Sequence, residues 1–292
     1  MATLAKLEWL VDLVRPALGS KPITEITPRA VLEALQPIEA RGRHETANRA
    51  RATVGAVCRY AVVTSRAELD PTTALRGALA RPAAKHRAAI IDSQDFGGLL
   101  RSIDGYAGAG ETGIALKLLA LTFVRPGELR GAEWSELDCE AAIWTVPSAR
   151  AKMRREHRVP LSRQALGLLS QLHGLTGQGR FLLPSIRSAA RCVSENTLNA
   201  ALRRLGFGQD EMTAHGFRAA ASSMLNESGL WQPDAIEAQL AHQERSAVRR
   251  AYARSEYWPK RVRMMQWWAD RCDELREGRP TKVVSISNAR HG

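Results

Sequence analysis

Apolar residues recur along the first third of the chain at the three- and four-residue spacing of amphipathic helices. Leu4, Leu7, Leu10, Val11 and Val14 mark one helix. Thr27-Pro28 reads as an N-cap followed by proline at the first helical position, opening a second helix through Val31, Leu32, Leu35 and Ile38. A third runs from about His44 to Thr64 through Ala47, Val54, Val57, Ala61 and Val62. Asp70-Pro71-Thr72-Thr73 is a turn leading into a short helix around Leu75. The stretch Arg81-Pro82-Ala83-Ala84-Lys85-His86-Arg87 is basic, contains a proline and has no period, so it reads as an interdomain linker.

Beyond it the pattern stays helical but admits one small sheet. Ile114 to Phe123 is an apolar helix running into Val124-Arg125-Pro126-Gly127-Glu128-Leu129. Ala142 to Val146 and His157 to Leu161 predict the two strands of a hairpin, with a basic tip from Pro147 to Glu156 between them. Ser162 and Ser194 are predicted to cap helices through Leu166 and Leu169, and through Leu198 and Leu202. Further helices are predicted near residues 216–227, 233–241 and 258–277. From about Gly278 the periodicity is gone, and a disordered tail is expected. The expected fold is therefore mainly α with a small antiparallel β-sheet. It divides into a helical domain over 1–84, a second domain over 85–277 and a tail over 278–292.

Charge changes the picture. The 292 residues carry 42 Lys and Arg against 30 Asp and Glu, a formal net charge of +12. A surface this basic suits a polyanionic partner, nucleic acid most simply; a codon bias toward arginine would give the same numbers. No apolar run reaches the roughly 18 residues of a membrane-spanning helix, and no secretion signal opens the chain. Cys58, Cys139, Cys192 and Cys272 are scattered and form no CxxC pair, which fits a reducing cytosol and no structural zinc.

Five separated pieces carry candidate chemistry: Arg125 in RPGELR, Lys152 on the hairpin tip, His215 and Arg218 in HGFR, His242 in QLAH, and Tyr252 ten residues later. Each alone has a bland reading: a solvated cap, a solvated lysine, a helix-end histidine, a packing aromatic, or an i,i+3 pair that an arginine-rich chain produces by chance. Their order is not bland. It resembles the tyrosine recombinases of the phage-integrase family, whose signature runs Arg, Lys, HxxR, His or Trp, then Tyr. The surrounding words REHRVPLS, HGFRAAASSMLNE, DAIEAQLAH and RMMQWWAD are similar to the integrases of prophages and genomic islands. The resemblance covers about residues 1 to 275.

The resemblance implies an enzyme that breaks and rejoins DNA without metal, cofactor or nucleotide. Tyr252 would attack phosphorus to give a 3′-phosphotyrosine and a free 5′-hydroxyl, and the reverse attack would reseal the strand. Arg125 and Arg218 would bind the non-bridging oxygens as planar, permanently charged forks. His215 and His242 would add hydrogen bonds, Lys152 would protonate the leaving 5′-oxygen, and Glu128, one helical turn after Arg125, would brace the basic cluster. Tyr257, a nearby residue of the same type, is a rival nucleophile, and the spacing from His242 to Tyr252 is one residue longer than is common in the family. Arg150, Arg154 and Arg155 on the hairpin, and Arg249 and Arg250 in a stretch with seven basic residues between Arg245 and Arg263, suit phosphate contacts. Arg41, Arg43 and Arg49 suit the helical domain, which resembles the core-binding half of a clamp.

The implied partners are double-stranded attachment sites, a homotetramer on DNA assembled from monomers, and an accessory DNA-bending protein, all in the bacterial cytoplasm at the nucleoid. Full-length relatives carry an additional arm-binding domain before the core-binding region, which is where this sequence starts. Two other readings stay open: a type IB topoisomerase-like activity, and a non-catalytic, integrase-like DNA-binding protein. For the apolar 258–277 helix, two outcomes are weighed equally: packing on its own core, or docking into a neighbouring subunit.

Overall fold

The computed structural model describes residues 2–81, 88–151, 154–242 and 257–278. The chain divides into two compact units, Met1–Lys85 and His86–Gly292.

The first unit is built from α1 (Ala2–Leu18), α2 (Pro28–Ala40), α3 (His44–Val63) and a 3-10 turn at Pro71–Leu75. Thr27 caps α2 as its sequence predicts, its hydroxyl accepting from the Ala30 N–H at 3.2 Å. The apolar stripes meet in a core of Leu10, Val14, Leu18, Val31, Leu35, Ile38, Val54 and Leu75. Asp70 locks the turn: its carboxylate accepts from the Thr72 N–H and hydroxyl at 2.9 and 2.7 Å and from Arg59 at 2.7 Å. Burial pushes this carboxyl up, but the Thr72 hydrogen bonds and Arg59 outweigh it and leave it below the usual range.

The second unit contains α4 (Ser93–Asp104), α5 (Gly110–Thr122), α6 (Pro126–Arg130), β1 (Leu137–Asp138), β2 (Ile143–Val146), β3 (His157–Pro160), α7 (Arg163–Thr176), β4 (Pro184–Ser185), β5 (Ser188–Cys192), α8 (Thr197–Arg204), α9 (Gly216–Glu227), α10 (Pro233–Gln239) and α11 (Trp258–Arg276). Helix α5 is apolar around most of its circumference, Lys117 and its partner Asp104 marking the exception, and accordingly sits in the middle of the core. The predicted hairpin forms with Trp144 opposite Val159 and Val146 opposite His157, and β1 extends it to a three-stranded antiparallel sheet.

Two expectations need correction, and one open alternative is decided. A second sheet, β4 with β5, joins the one predicted; β4 is only two residues long and β5 has no buried face, so neither shows an alternation. Helix α8 starts at Thr197 with Asn196 as its N-cap, so Ser194 lies in the turn before it. Docking of the last helix in a neighbouring subunit gives way to packing at home. Met264, Met265, Trp268, Ala269, Cys272 and Leu275 of α11 are all buried in the unit's own core. The Trp268 ring lies 5.9 Å from Phe96 and 6.1 Å from Phe123, and its N–H donates to the Ala120 carbonyl at 2.8 Å. Gly97 makes the fit possible, because a Cβ there would lie 2.3 Å from the Leu275 carbonyl oxygen. The expected linker at 82–87 and the tail beyond Gly278 fall outside the described residues.

Candidate active site

The site is assembled where three chain segments end. Phe123 closes α5 in the left-handed region, φ +38°, a conformation that a bulky residue adopts only where its surroundings over-determine it. Two residues later Arg125 is the extended N-cap of α6, held there by Pro126, which disfavours helical backbone in the residue before it. The buried Glu128 carboxylate then clamps Arg125 twice, accepting from its backbone N–H at 3.0 Å and from Nη1 at 2.9 Å. This is the brace expected from the sequence.

Helix α10 ends opposite. Ala241 takes a left-handed φ of +47°, which terminates the helix and leaves its last carbonyls without helical partners. Arginines take them. The Leu240 carbonyl accepts from Arg218 Nη2 at 2.6 Å and from Arg125 Nη2 at 3.4 Å, while the Ala241 carbonyl accepts from Arg125 Nη2 at 2.9 Å. Nη1 of Arg218 donates to the Phe123 carbonyl at 2.7 Å. Phe123 and Ala241, each left-handed, therefore each present a carbonyl to an arginine of the site.

The third segment is the start of α9. His215 is its N-cap, half-buried, and its carbonyl accepts from the Arg218 N–H at 3.2 Å. Arg218 is only 4% exposed. Burial, and then the neighbouring Arg125 charge, pushes its guanidinium down to about 10 against the pull of Glu128 and Glu237, so it is still protonated at neutral pH. His242 follows Ala241 on the exposed rim, with Nδ1 2.8 Å from the Glu237 carboxylate.

Two buried groups belong to this floor that the sequence did not single out. His157, on β3, is pushed down to about 3 by burial and then by the charges of Arg261, Arg125 and Arg218, with the Gln239 backbone acting weakly in the other direction. Arg261, counted above within a basic stretch suited to phosphate contacts, is only 2% exposed. It donates to Gln239 Oε1 from Nε at 3.0 Å and from Nη2 at 2.8 Å, and also to the Arg158 carbonyl. A signal was available: Arg261, Met264, Met265, Trp268, Cys272 and Leu275 share the helical period of the buried face. A charge at an apolar-periodic position calls for a buried partner.

Among the remaining candidates, Arg150 turns inward. It pairs with Glu136 and donates to the Glu128 carbonyl at 3.0 Å, so it ties the hairpin to α6 rather than standing ready for phosphate. Arg154 and Arg155 are exposed on the hairpin, and Arg41, Arg43 and Arg49 are exposed on the first unit, Arg49 paired with Glu45. Lys152, Tyr252, Arg249 and Arg250 lie outside the described residues. Tyr257, the rival nucleophile, precedes α11 with its hydroxyl donating to Asp234 at 3.2 Å and its ring under Lys260.

With the geometry in view, comparison with known proteins is informative. Residues 2–78 match the phage integrase central domain, and residues 94–258 match the phage integrase family. The integrase of Enterobacteria phage P4 is 41% identical over 96% of this chain, which spans 66% of that protein. The protein IntB of Escherichia coli (strain K12) is 39% identical over 97% of this chain, which spans 75% of it. In structure, the chain is similar to a lambda integrase (75–356) dimer bound to a COC′ core site: TM-score 0.65, 19% identity, covering 88% of this chain and 89% of that one. It is also similar to a lambda integrase tetramer bound to a Holliday junction, with TM-score 0.66 and 19% identity over 85% of this chain and 73% of that one.

Proposed function

The chain belongs to the phage integrase family, the tyrosine recombinases, and we propose that it integrates or excises a mobile element by cutting and resealing DNA through a 3′-phosphotyrosine on Tyr252. The observation that carries this reading is the convergence of Arg125 and Arg218 on one backbone oxygen, that of Leu240. Attack on a phosphodiester gathers negative charge on the non-bridging oxygens of a pentavalent phosphorus. Two guanidiniums already fixed beside each other in a water-poor floor meet that charge without reorganising. His215, one turn from Arg218, and His242, on the rim, would donate further hydrogen bonds to the scissile phosphate. Lys152 would give its proton to the leaving 5′-oxygen, and the reverse transfer accompanies religation.

Between the two tyrosines, the hydrogen bond from Tyr257 to Asp234 supports Tyr252 as nucleophile. Exposed Arg154 and Arg155, with Arg41, Arg43 and Arg49 on the first unit and Arg249 and Arg250 beside Tyr252, would track the phosphate backbone. On this reading residues 1–84 form a core-binding domain and 85–277 the catalytic domain. The partners are duplex attachment sites, a homotetramer that synapses two of them, and a DNA-bending helper, with the work done at the nucleoid in the bacterial cytoplasm.

The deciding experiment uses a nicked suicide duplex carrying the attachment junction of the encoding element. In EDTA, the wild-type chain should form a covalent adduct, whereas Tyr252→Phe should bind the duplex and form none. An adduct that persists in Tyr252→Phe and disappears in Tyr257→Phe would reverse the assignment, and an absolute need for a divalent ion would remove the mechanism.

A further inference from the structure

Arg261 stands at a junction of three parts of the floor. It belongs to the first turn of α11. Its guanidinium grips the buried Gln239, the last residue of α10, through Nε and Nη2, and reaches the Arg158 carbonyl of β3 with Nη2. The next residue after Gln239 is Leu240, whose carbonyl receives both Arg125 and Arg218. Gln239 is wholly buried, so its side chain has no water to turn to if Arg261 is lost. The Trp258 ring, 5.5 Å from the Arg261 guanidinium and 4.5 Å from that of Arg158, flanks the same junction.

On the recombinase reading given above, we propose that Arg261 is a positioning residue for DNA cleavage: through Gln239 it fixes the end of α10, and with it the carbonyl that sets the spacing of Arg125 and Arg218. Arg261 itself need not reach the phosphate. Its planar fork supplies Nε and Nη2 to Gln239 and Nη2 again to Arg158, an arrangement that a lysine ammonium on a flexible stem does not reproduce. A displacement of the end of α10 by a fraction of an ångström would be felt in the alignment of both arginines.

The test is single-turnover cleavage by the full chain on three suicide duplexes: one with a normal scissile phosphate, one with a neutral methylphosphonate there, and one with a 5′-bridging phosphorothiolate. The variant is Arg261→Lys, which keeps charge and length; its melting curve is recorded alongside. On the normal duplex, Arg261→Lys should cleave roughly 10- to 100-fold more slowly at unchanged single-site affinity. The deficit should shrink on the methylphosphonate, which gives the arginines less charge to neutralise, and persist on the phosphorothiolate, whose sulfur leaves without an acid. Gln239→Ala should show the same deficit, and the double variant should be no slower than either single one. Wild-type cleavage rates in Arg261→Lys would overturn the inference alone. So would an equal deficit on all three duplexes, which marks a general loss of folded enzyme, or relief on the phosphorothiolate only, which moves the effect to the hairpin. Absence of any adduct from the wild-type chain would overturn the recombinase reading, and this inference with it.

Discussion

Arginine serves the surface of the first unit and the buried floor of the second in opposite ways. In the first unit, Arg15, Arg29 and Arg49 lie on helix surfaces with side chains half or more exposed, each paired with an acid three or four residues away. In the second, Arg125, Arg218 and Arg261 have side chains or whole residues no more than 15% exposed and donate largely to backbone carbonyls and a glutamine. Surface pairs cost little to form and contribute little, because water screens them and long side chains lose entropy. Buried guanidiniums are expensive to desolvate and survive only where every direction is met. On the proposed reading, the reward is a charge already in place when a phosphate arrives. One residue type thus serves as adjustable charge on the surface of the one and as a fixed, buried donor in the floor of the other.

The widest expected gap comes from truncating one arginine of each kind. Arg218→Ala should slow strand cleavage on the order of a hundredfold or more, about 3 kcal/mol of transition-state stabilisation, while DNA affinity changes little. Adduct formation against gel-shift affinity measures both. Equal losses in binding and cleavage would dissolve the contrast between the two sets.

Acid sharpens it next. The folded His157 imidazole titrates near 3, well below the roughly 6.5 of an unfolded chain. Below about pH 6.5 the unfolded chain therefore takes up a proton that the folded floor refuses, and stability falls as pH drops from there toward 3. Between pH 7 and pH 5 this amounts to about 2 kcal/mol. Urea unfolding of the wild type and of His157→Gln at the two pH values should show this slope in the first and its loss in the second. Identical slopes would mean that water reaches the floor.

A smaller effect is expected at Gly97→Ala. The added Cβ would meet the Leu275 carbonyl, a backbone atom that cannot swing aside, so α4 and α11 must part. Overpacking of this kind costs about 1–2 kcal/mol, read as a lower denaturant midpoint. An unchanged midpoint would free α11 from the core that carries Arg261. The smallest change belongs to the surface: Arg49→Ala should alter stability by no more than about 0.5 kcal/mol. It should lower the slope of log affinity against log salt by about one unit if Arg49 contacts a phosphate.

Much of this was legible from residue order alone. The helices of the first unit announce themselves through Val31, Leu35, Ile38 and Val54, because amphipathic spacing is a local property. Helix α4 was not marked in advance, although Asp92 caps it by accepting from the Gln94 and Asp95 N–H groups and Phe96, Leu99 and Ile103 follow at helical spacing. Arg125, His215 and Arg218 could be named because they stand in short words whose order is informative. Gln239 and Arg261 could not, since their meaning lies in a hydrogen bond between α10 and α11, and hydrogen bonds between distant segments leave no period behind. The same holds for Arg150, whose place in a basic run hid its partner Glu136, fourteen positions earlier.

The acceptors that orient Arg218 and, in part, Arg125 and Arg261 are the carbonyls of Phe123, Leu240, Ala241 and Arg158. Main-chain oxygens are the same whichever amino acid carries them. A scan of point substitutions would find the arginines, Glu128 and Gln239 and pass over these oxygens, since no codon at position 240 removes the one on Leu240. Only an edit to the polymer itself reaches it. An ester in place of the amide joining Leu240 to Ala241 weakens the Leu240 carbonyl as an acceptor while leaving every side chain in place. The most economical part of this floor is thereby hidden from genetics and open to chemical synthesis.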